Sequence, residues 1–338
     1  MIKRLSLVLT VAAILVITTT AASDPNHPTG TKGLFLVDKL GGQVRFLDPV
    51  TYKERAAVKL PANPHDFAVN PDHTLAYVPI YGDGIYGRNA NPGHEIDVVD
   101  LKTQKVVGTI DVSPYRAPHG IQIAPDGTLF VTSDLDRKLL VIDAKARTVK
   151  AAIDTEGTGH WVGMLPDGSK LYVTNKNDKP FVSVIEAKSR TMIGRVAAPN
   201  GTQGIAVSPD GRRVVVMDFK DPVALIVDPK TDMVIDRVPL KDQTTGGYKV
   251  YFSPDGKWLL TMNSQSTTIN ILNAGDLHGE QRTATVGKDP MGFAFSADGK
   301  TVLVANHGDG SVSVIDLQKG QATTKFQAGT GIETLAFY

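Results

Sequence analysis

The sequence predicts an all-β protein, a closed ring of seven four-stranded antiparallel blades. Three observations predict it. One turn phrase recurs along the chain, the segments around it read as short β-branched strands, and the repeat length divides the chain about seven times. The phrase is Pro-Asp-Gly after an apolar strand. It stands at Pro125-Asp126-Gly127, Pro166-Asp167-Gly168, Pro209-Asp210-Gly211 and Pro254-Asp255-Gly256, with variants at Pro71-Asp72-His73 and Ala297-Asp298-Gly299. The six aspartates fall 54, 41, 43, 45 and 43 residues apart. Proline presets the first turn position, and glycine takes the positive φ that side chains resist.

Each unit reads as four strands. In one of them Trp161–Leu165 runs to the turn, and Leu171–Asn175, Val182–Glu186 and Met192–Val196 follow. The runs are about five residues long, rich in Val and Ile, and separated by tight turns. No helical period is evident beyond the first segment. Four strands in 40–50 residues is the signature of a β-propeller blade.

The leader comes first in the chain. Met1-Ile2-Lys3-Arg4 is basic, Leu5 to Ile17 is apolar, and Thr18-Thr19-Thr20-Ala21-Ala22-Ser23 is small. Thirteen apolar residues fall short of the roughly 20 that a spanning helix needs. The layout is that of a signal peptide over residues 1–22, cleaved at about 22–24. The expected location is periplasmic or secreted, with no membrane span after cleavage. Residues 23–338 then form a single propeller domain.

Ring closure follows from the remaining length. Beyond the leader, and discounting the eleven extra residues of the long step, units of 43 fill the chain about seven times. Six units carry the turn phrase. The seventh must join both ends: Gly33–Asp38 and Val44–Asp48 as second and third strands, Leu335–Tyr338 as the innermost. Such closure removes open sheet edges.

Composition narrows the function. Of 338 residues, 36 are Lys or Arg and 35 are Asp or Glu, a formal net charge of +1. That leaves no cationic excess to neutralise phosphates, so no nucleic-acid partner is expected. The hydrophobic share of 41% is far too high for a disordered chain. Cysteine is absent, which removes iron–sulfur clusters, covalent c-type haem and thiol chemistry. Any metal must use His, Asp, Glu, Met or backbone.

Tyr172-Val173-Thr174-Asn175 carries the literal phrase of the YVTN-repeat propellers, and Leu303-Val304-Ala305-Asn306 and Leu260-Thr261-Met262-Asn263 vary it. The mature chain resembles that exported, WD40-like family throughout. The resemblance extends to the propellers of quinoprotein amine dehydrogenases and of the haem-binding nitrite reductase group. It implies the fold, whereas function must come from a site.

Aligned repeats expose where blades differ. Seven residues before each turn Asp, at the start of the innermost strand, stand His65, His119, His160, Gln203, Tyr248 and Met291, and the same offset gives Glu333. These first residues should ring one mouth of the central channel. Three histidines and a carboxylate in four consecutive blades can converge as metal ligands, and imidazole without thiolate suits copper or zinc. Glu333 serves in this reading as a ligand, a partner fixing an imidazole, or a general base. His307 faces the same mouth.

The eleven-residue excess lies in 79–95 and reads as a loop over that mouth. It offers Tyr81, Tyr86, Arg88 and His94, beside Gln203 and Tyr248, as ligand contacts. Its Gly82-x-Gly84-x-x-Gly87 is no dinucleotide site, because no helix follows to receive a pyrophosphate. Asp38, Asn175, Asp218, Asn263 and Asn306 share the end of the second strand, where Asn and Asp bond nearby backbone. Trp161 and Trp258 read as packing residues.

The sequence therefore points to an exported propeller that binds a metal ion or small ligand through a His-rich ring. Two alternatives stay open. One is a metal-dependent hydrolase, lactonase-like, or an oxidoreductase at the same site. The other is a scaffold for another exported protein, such as a subunit of a periplasmic redox system. A monomer is expected.

Overall fold

The computed structural model describes residues 31–85, 88–263 and 265–338, and the predicted leader lies outside them. Seven four-stranded antiparallel sheets account for all strands among the described residues, and no helix occurs there. Blade 1 takes its innermost strand, Ile332–Phe337, from the C-terminus and its other three, Leu34–Asp38, Gln43–Leu47 and Glu54–Lys59, from the N-terminal side. Leu34 lies opposite Phe337 and Leu36 opposite Leu335, so the chain's two ends close the ring. Each of blades 2 to 7 uses four consecutive strands.

The strands form because their sequences alternate poorly and bury well. The second strand of blade 4, Lys170–Thr174, and of blade 5, Val214–Asp218, are buried almost throughout. Outermost strands alternate, as Thr191–Ala197 shows. Inner strands are covered on both faces by neighbouring blades, and outer ones on a single face. Seven apolar clusters result, one in each gap between blades. The gap between blades 7 and 1 packs Ala294, Leu303 and Val312 against Leu34, Leu36 and Leu335. In the next gap Phe35 meets Phe46 and Phe67 edge to face, at ring-centroid distances of 5.3 and 4.9 Å.

The repeated turn works as its chemistry requires. Gly127, Gly168, Gly211, Gly256 and Gly299 all have φ between +66° and +86°. His73 occupies the same place in blade 2 at φ +56°, a conformation that costs a side chain more than glycine. The preceding aspartate accepts the amide two residues on, as Asp126 does from Thr128 at 2.9 Å.

The insertion departs from the expected loop. Residues 79–95 lengthen a hairpin instead: Leu75–Ile85 and Arg88–Asp100 run on as paired strands, with Asp83 opposite Asn91 and Ile85 opposite Arg88. Paired backbone satisfies its own hydrogen bonds, so the extension needs no separate support.

Candidate functional site

The innermost strands start irregularly. Their pairing with the second strands shifts between Pro118 and Ile121, between Thr202 and Ile205, and between Pro290 and Gly292. Such bulges re-aim side chains locally. The shift is held by hydroxyls: Thr132 Oγ1 receives the Gly120 amide at 2.9 Å and donates to the His160 carbonyl at 3.0 Å, and Thr174 Oγ1 receives the Trp161 amide at 3.0 Å. Thr174 is the threonine of the Tyr-Val-Thr-Asn phrase. Glycine at 120 is also required sterically, because a Cβ there would sit 2.3 Å from the His160 carbonyl oxygen. Adjacent blades thereby approach closely at this end of the channel.

Three imidazoles meet as a consequence. The His65 and His119 ring centroids are 3.9 Å apart, and those of His119 and His160 are 4.0 Å apart and nearly parallel at 27°. All three histidines are at most 5% exposed, so they lie in a closed pocket and not at a wet mouth. Trp161 packs against the row, 4.6 Å from His119 and 5.2 Å from His160 between centroids. It is a wall of the site as well as the packing residue the sequence suggested.

His119 Nδ1 lies 3.1 Å from the His160 carbonyl. A carbonyl only accepts, so Nδ1 carries the proton and Nε2 carries the lone pair. That Nε2 is buried with no hydrogen-bond partner. Fixing one ring nitrogen through a backbone carbonyl and leaving the other as a donor is the arrangement of a metal-ligating histidine. Asp134 supplies the carboxylate. One ligand atom each from His119, Asp134 and His160 lie within 4.8 Å of one another, a grouping that could hold one ion. His160 Nδ1 stands 3.8 Å from Asp134 Oδ2, to which the Tyr81 hydroxyl donates at 3.2 Å.

Glu333 belongs to a second cluster. It faces His65 Nε2 at 3.7 Å, His307 Nδ1 at 3.2 Å and Lys39 Nζ at 3.7 Å. The four expected ligands are thus divided. His119 and His160 converge with Asp134, whereas His65 bridges toward Glu333. Gln203 is buried and hydrogen-bonds Tyr248. Tyr81 is buried in the cluster, while His94 is exposed and bonds the Tyr115 carbonyl at 2.8 Å. Tyr86 and the side chain of Arg88 lie outside the described residues.

Electrostatics favour neutral nitrogen donors. Burial first, and then neighbouring imidazoles and lysines, hold His65, His119 and His160 well below the usual histidine range. Burial pushes the Asp134 carboxyl well up, against the Tyr81 hydroxyl and Lys176. Burial pulls Lys176 down to about 8. Burial opposes ionisation of Glu333 too, but Lys39, His307 and Lys249 outweigh it and hold its carboxyl well below the usual range.

Sequence reasoning missed Asp134 and Lys39. Both stand one residue past the end of a second strand, as His307 does, and Tyr81 and Lys176 each follow the equivalent repeat position by one residue. The signal was present at His307. Blade 3 has a turn one residue shorter than its neighbours, which displaces Asp134 in a count from the turn. The capping register itself behaves as its chemistry suggested: Asn175 Nδ2 donates to Phe181 O and Ser183 Oγ, and Asp38 accepts the Gly41 and Gly331 amides.

Comparison with known proteins agrees with the fold. The family described as "Lactonase, 7-bladed beta-propeller" matches residues 230–329. The "Uncharacterized protein YncE" of Salmonella typhimurium is 22% identical over 282 residues, covering 78% of this chain and 75% of that protein. The hydrazine synthase subunit beta of Kuenenia stuttgartiensis is 26% identical over 253 residues, covering 65% of this chain and 58% of that subunit. A solved structure of Kuenenia stuttgartiensis hydrazine synthase superposes with a TM-score of 0.74 at 21% identity, over 91% of this chain and 99% of that one.

Proposed function

We propose that this seven-bladed propeller is an exported protein that binds one transition-metal ion, zinc or copper, at His119, Asp134 and His160. The observation that carries the proposal is the His119 imidazole. Its Nδ1 is committed to the His160 carbonyl, and its buried Nε2 lone pair is left for a Lewis acid beside a second imidazole and a carboxylate. A divalent ion would offset the burial of the Asp134 charge, and neutral imidazoles present no competing protons. Nitrogen and oxygen donors without thiolate suit zinc or copper.

Elemental analysis of tag-free protein recovered from the export compartment tests this. Wild type should carry about one equivalent of metal after zinc or copper addition, and His119→Ala and Asp134→Asn should each carry less than about a tenth. A metal-free wild type, or variants that load as the wild type does, would overturn it. N-terminal sequencing of the same sample tests removal of residues 1–22.

A second reading, lactonase-like hydrolysis, is favoured by the family match over residues 230–329. A bound ion would polarise a carbonyl or activate water there. His119, Asp134 and His160 would hold it. Acid release from γ- and δ-lactones, lost in Asp134→Asn, is the expected result. Absence of turnover by metal-loaded protein would remove this reading and leave the metal site standing.

A further inference from the structure

A separate cavity of about 320 Å³ occupies the central channel on the other side of Trp161. It runs from the turn prolines, Pro125 and Pro166 among them, to Trp161 and Lys249. Its walls are largely apolar side chains of the innermost strands, including Val162, Ile205, Val207 and Phe252. Lys249 is out of place in this setting. It is 2% exposed, on the innermost strand Lys249–Phe252 of blade 6, and its Nζ has no hydrogen-bond partner.

An ammonium has three protons to donate and no acceptor capacity. Leaving it buried and unpaired costs several kcal/mol. The Trp161 ring face, 3.9 Å from Nζ to the centroid, offsets part of that, about 2 kcal/mol when desolvated. Burial pulls the Lys249 ammonium below the usual lysine range, while Asp66, in the cavity lining, and Glu333 both favour its charged form. What the Nζ lacks is an acceptor at hydrogen-bond distance. A cavity with largely apolar walls, in which a buried lysine lacks a hydrogen-bond acceptor although Asp66 also lies in the lining, is complementary to an anion with an apolar body.

We infer that this cavity is a binding site for a small monocarboxylate with an apolar body, whose carboxylate accepts hydrogen bonds from Lys249 Nζ while its body lies along Val162, Ile205, Val207 and Phe252. The volume corresponds to about ten waters' worth of liquid, which sets the ligand at roughly ten non-hydrogen atoms. The site does not depend on metal at His119, Asp134 and His160, and it is tested in metal-free protein.

Isothermal titration of chelator-treated full-length protein with phenylacetate and with the neutral 2-phenylethanol is the experiment. The acid should bind at least about tenfold more tightly than the alcohol, the scale of one charge-assisted hydrogen bond. Lys249→Met should erase that preference. Val207→Trp keeps the lysine, fills the cavity, and should abolish binding of both. Equal affinity of acid and alcohol for the wild type overturns the inference, as does no saturation by either at millimolar concentration. So does undiminished acid binding by Val207→Trp, which would put the anion at a surface lysine. If Lys249→Met fails to fold, the wild-type ratio and the Val207→Trp titration decide the matter.

Discussion

Replacing Glu333 by glutamine removes the negative charge that Lys39, His307 and His65 face. Lys39 lies 3.7 Å away and His307 3.2 Å away, and Glu333 itself is 1% exposed. At an effective dielectric near 20 a unit charge pair at that spacing is worth about 4 kcal/mol. Part of this is already spent on desolvating the carboxylate, and Lys39 can turn toward water once released. The variant should therefore be less stable than wild type by about 2–4 kcal/mol at pH 7. The folded carboxyl is held below its unfolded value. Its contribution is then complete above the unfolded range, about 4.3, and is lost as pH falls from there toward the folded value. Glutamine has no such term, so the gap between the proteins should close on acidification. Urea unfolding at pH 7, 5, 4 and 3, followed by near-ultraviolet circular dichroism, measures both. A gap below about 0.5 kcal/mol at pH 7, or one that stays constant down to pH 3, would refute the electrostatic account.

Three further outcomes follow from the architecture. Gly127→Ala places a side chain at φ +86° with no atom within 4 Å of the new Cβ, so the loss is conformational alone, about 1 kcal/mol by denaturant unfolding. Phe35→Ala empties the space between Phe46 and Phe67 in the gap between blades 1 and 2, and should cost about 3–5 kcal/mol in the same measurement. Deleting 332–338 removes the innermost strand of blade 1, exposes the edge of Leu34–Asp38 and opens the ring, so size-exclusion chromatography should find aggregate in place of the compact species.

The ring of blades was legible because it is written locally. Pro-Asp-Gly dictates a turn, β-branched runs of five residues dictate strands, and spacing counts them. Even the shared blade could be read, since Leu34–Asp38 and the C-terminal strand each lack the partners the repeat supplies elsewhere. Register placed His65, His119 and His160 at the heads of neighbouring strands for the same reason. The insertion was misread as a loop because its Gly, Asn and Pro content mimics one, whereas pairing across Asp83 and Asn91 continues the hairpin.

Convergence could not be read that way. Whether imidazoles on three strands meet depends on how closely blades approach, and that is set by Gly120 against the His160 carbonyl and by the bulges held by Thr132 and Thr174. Those contacts join residues between 12 and 40 positions apart. The same closeness brought Asp134, not Glu333, to His119 and His160, and buried them together. The sequence by itself determined the blades, their number and which residues head each strand, because turn geometry and strand burial act over a few residues. Only the tertiary structure decided which heads share one pocket, which carboxylate lies beside them, and that Lys249 sits without a hydrogen-bond acceptor at a largely apolar cavity, because distances across a closed ring depend on every blade at once.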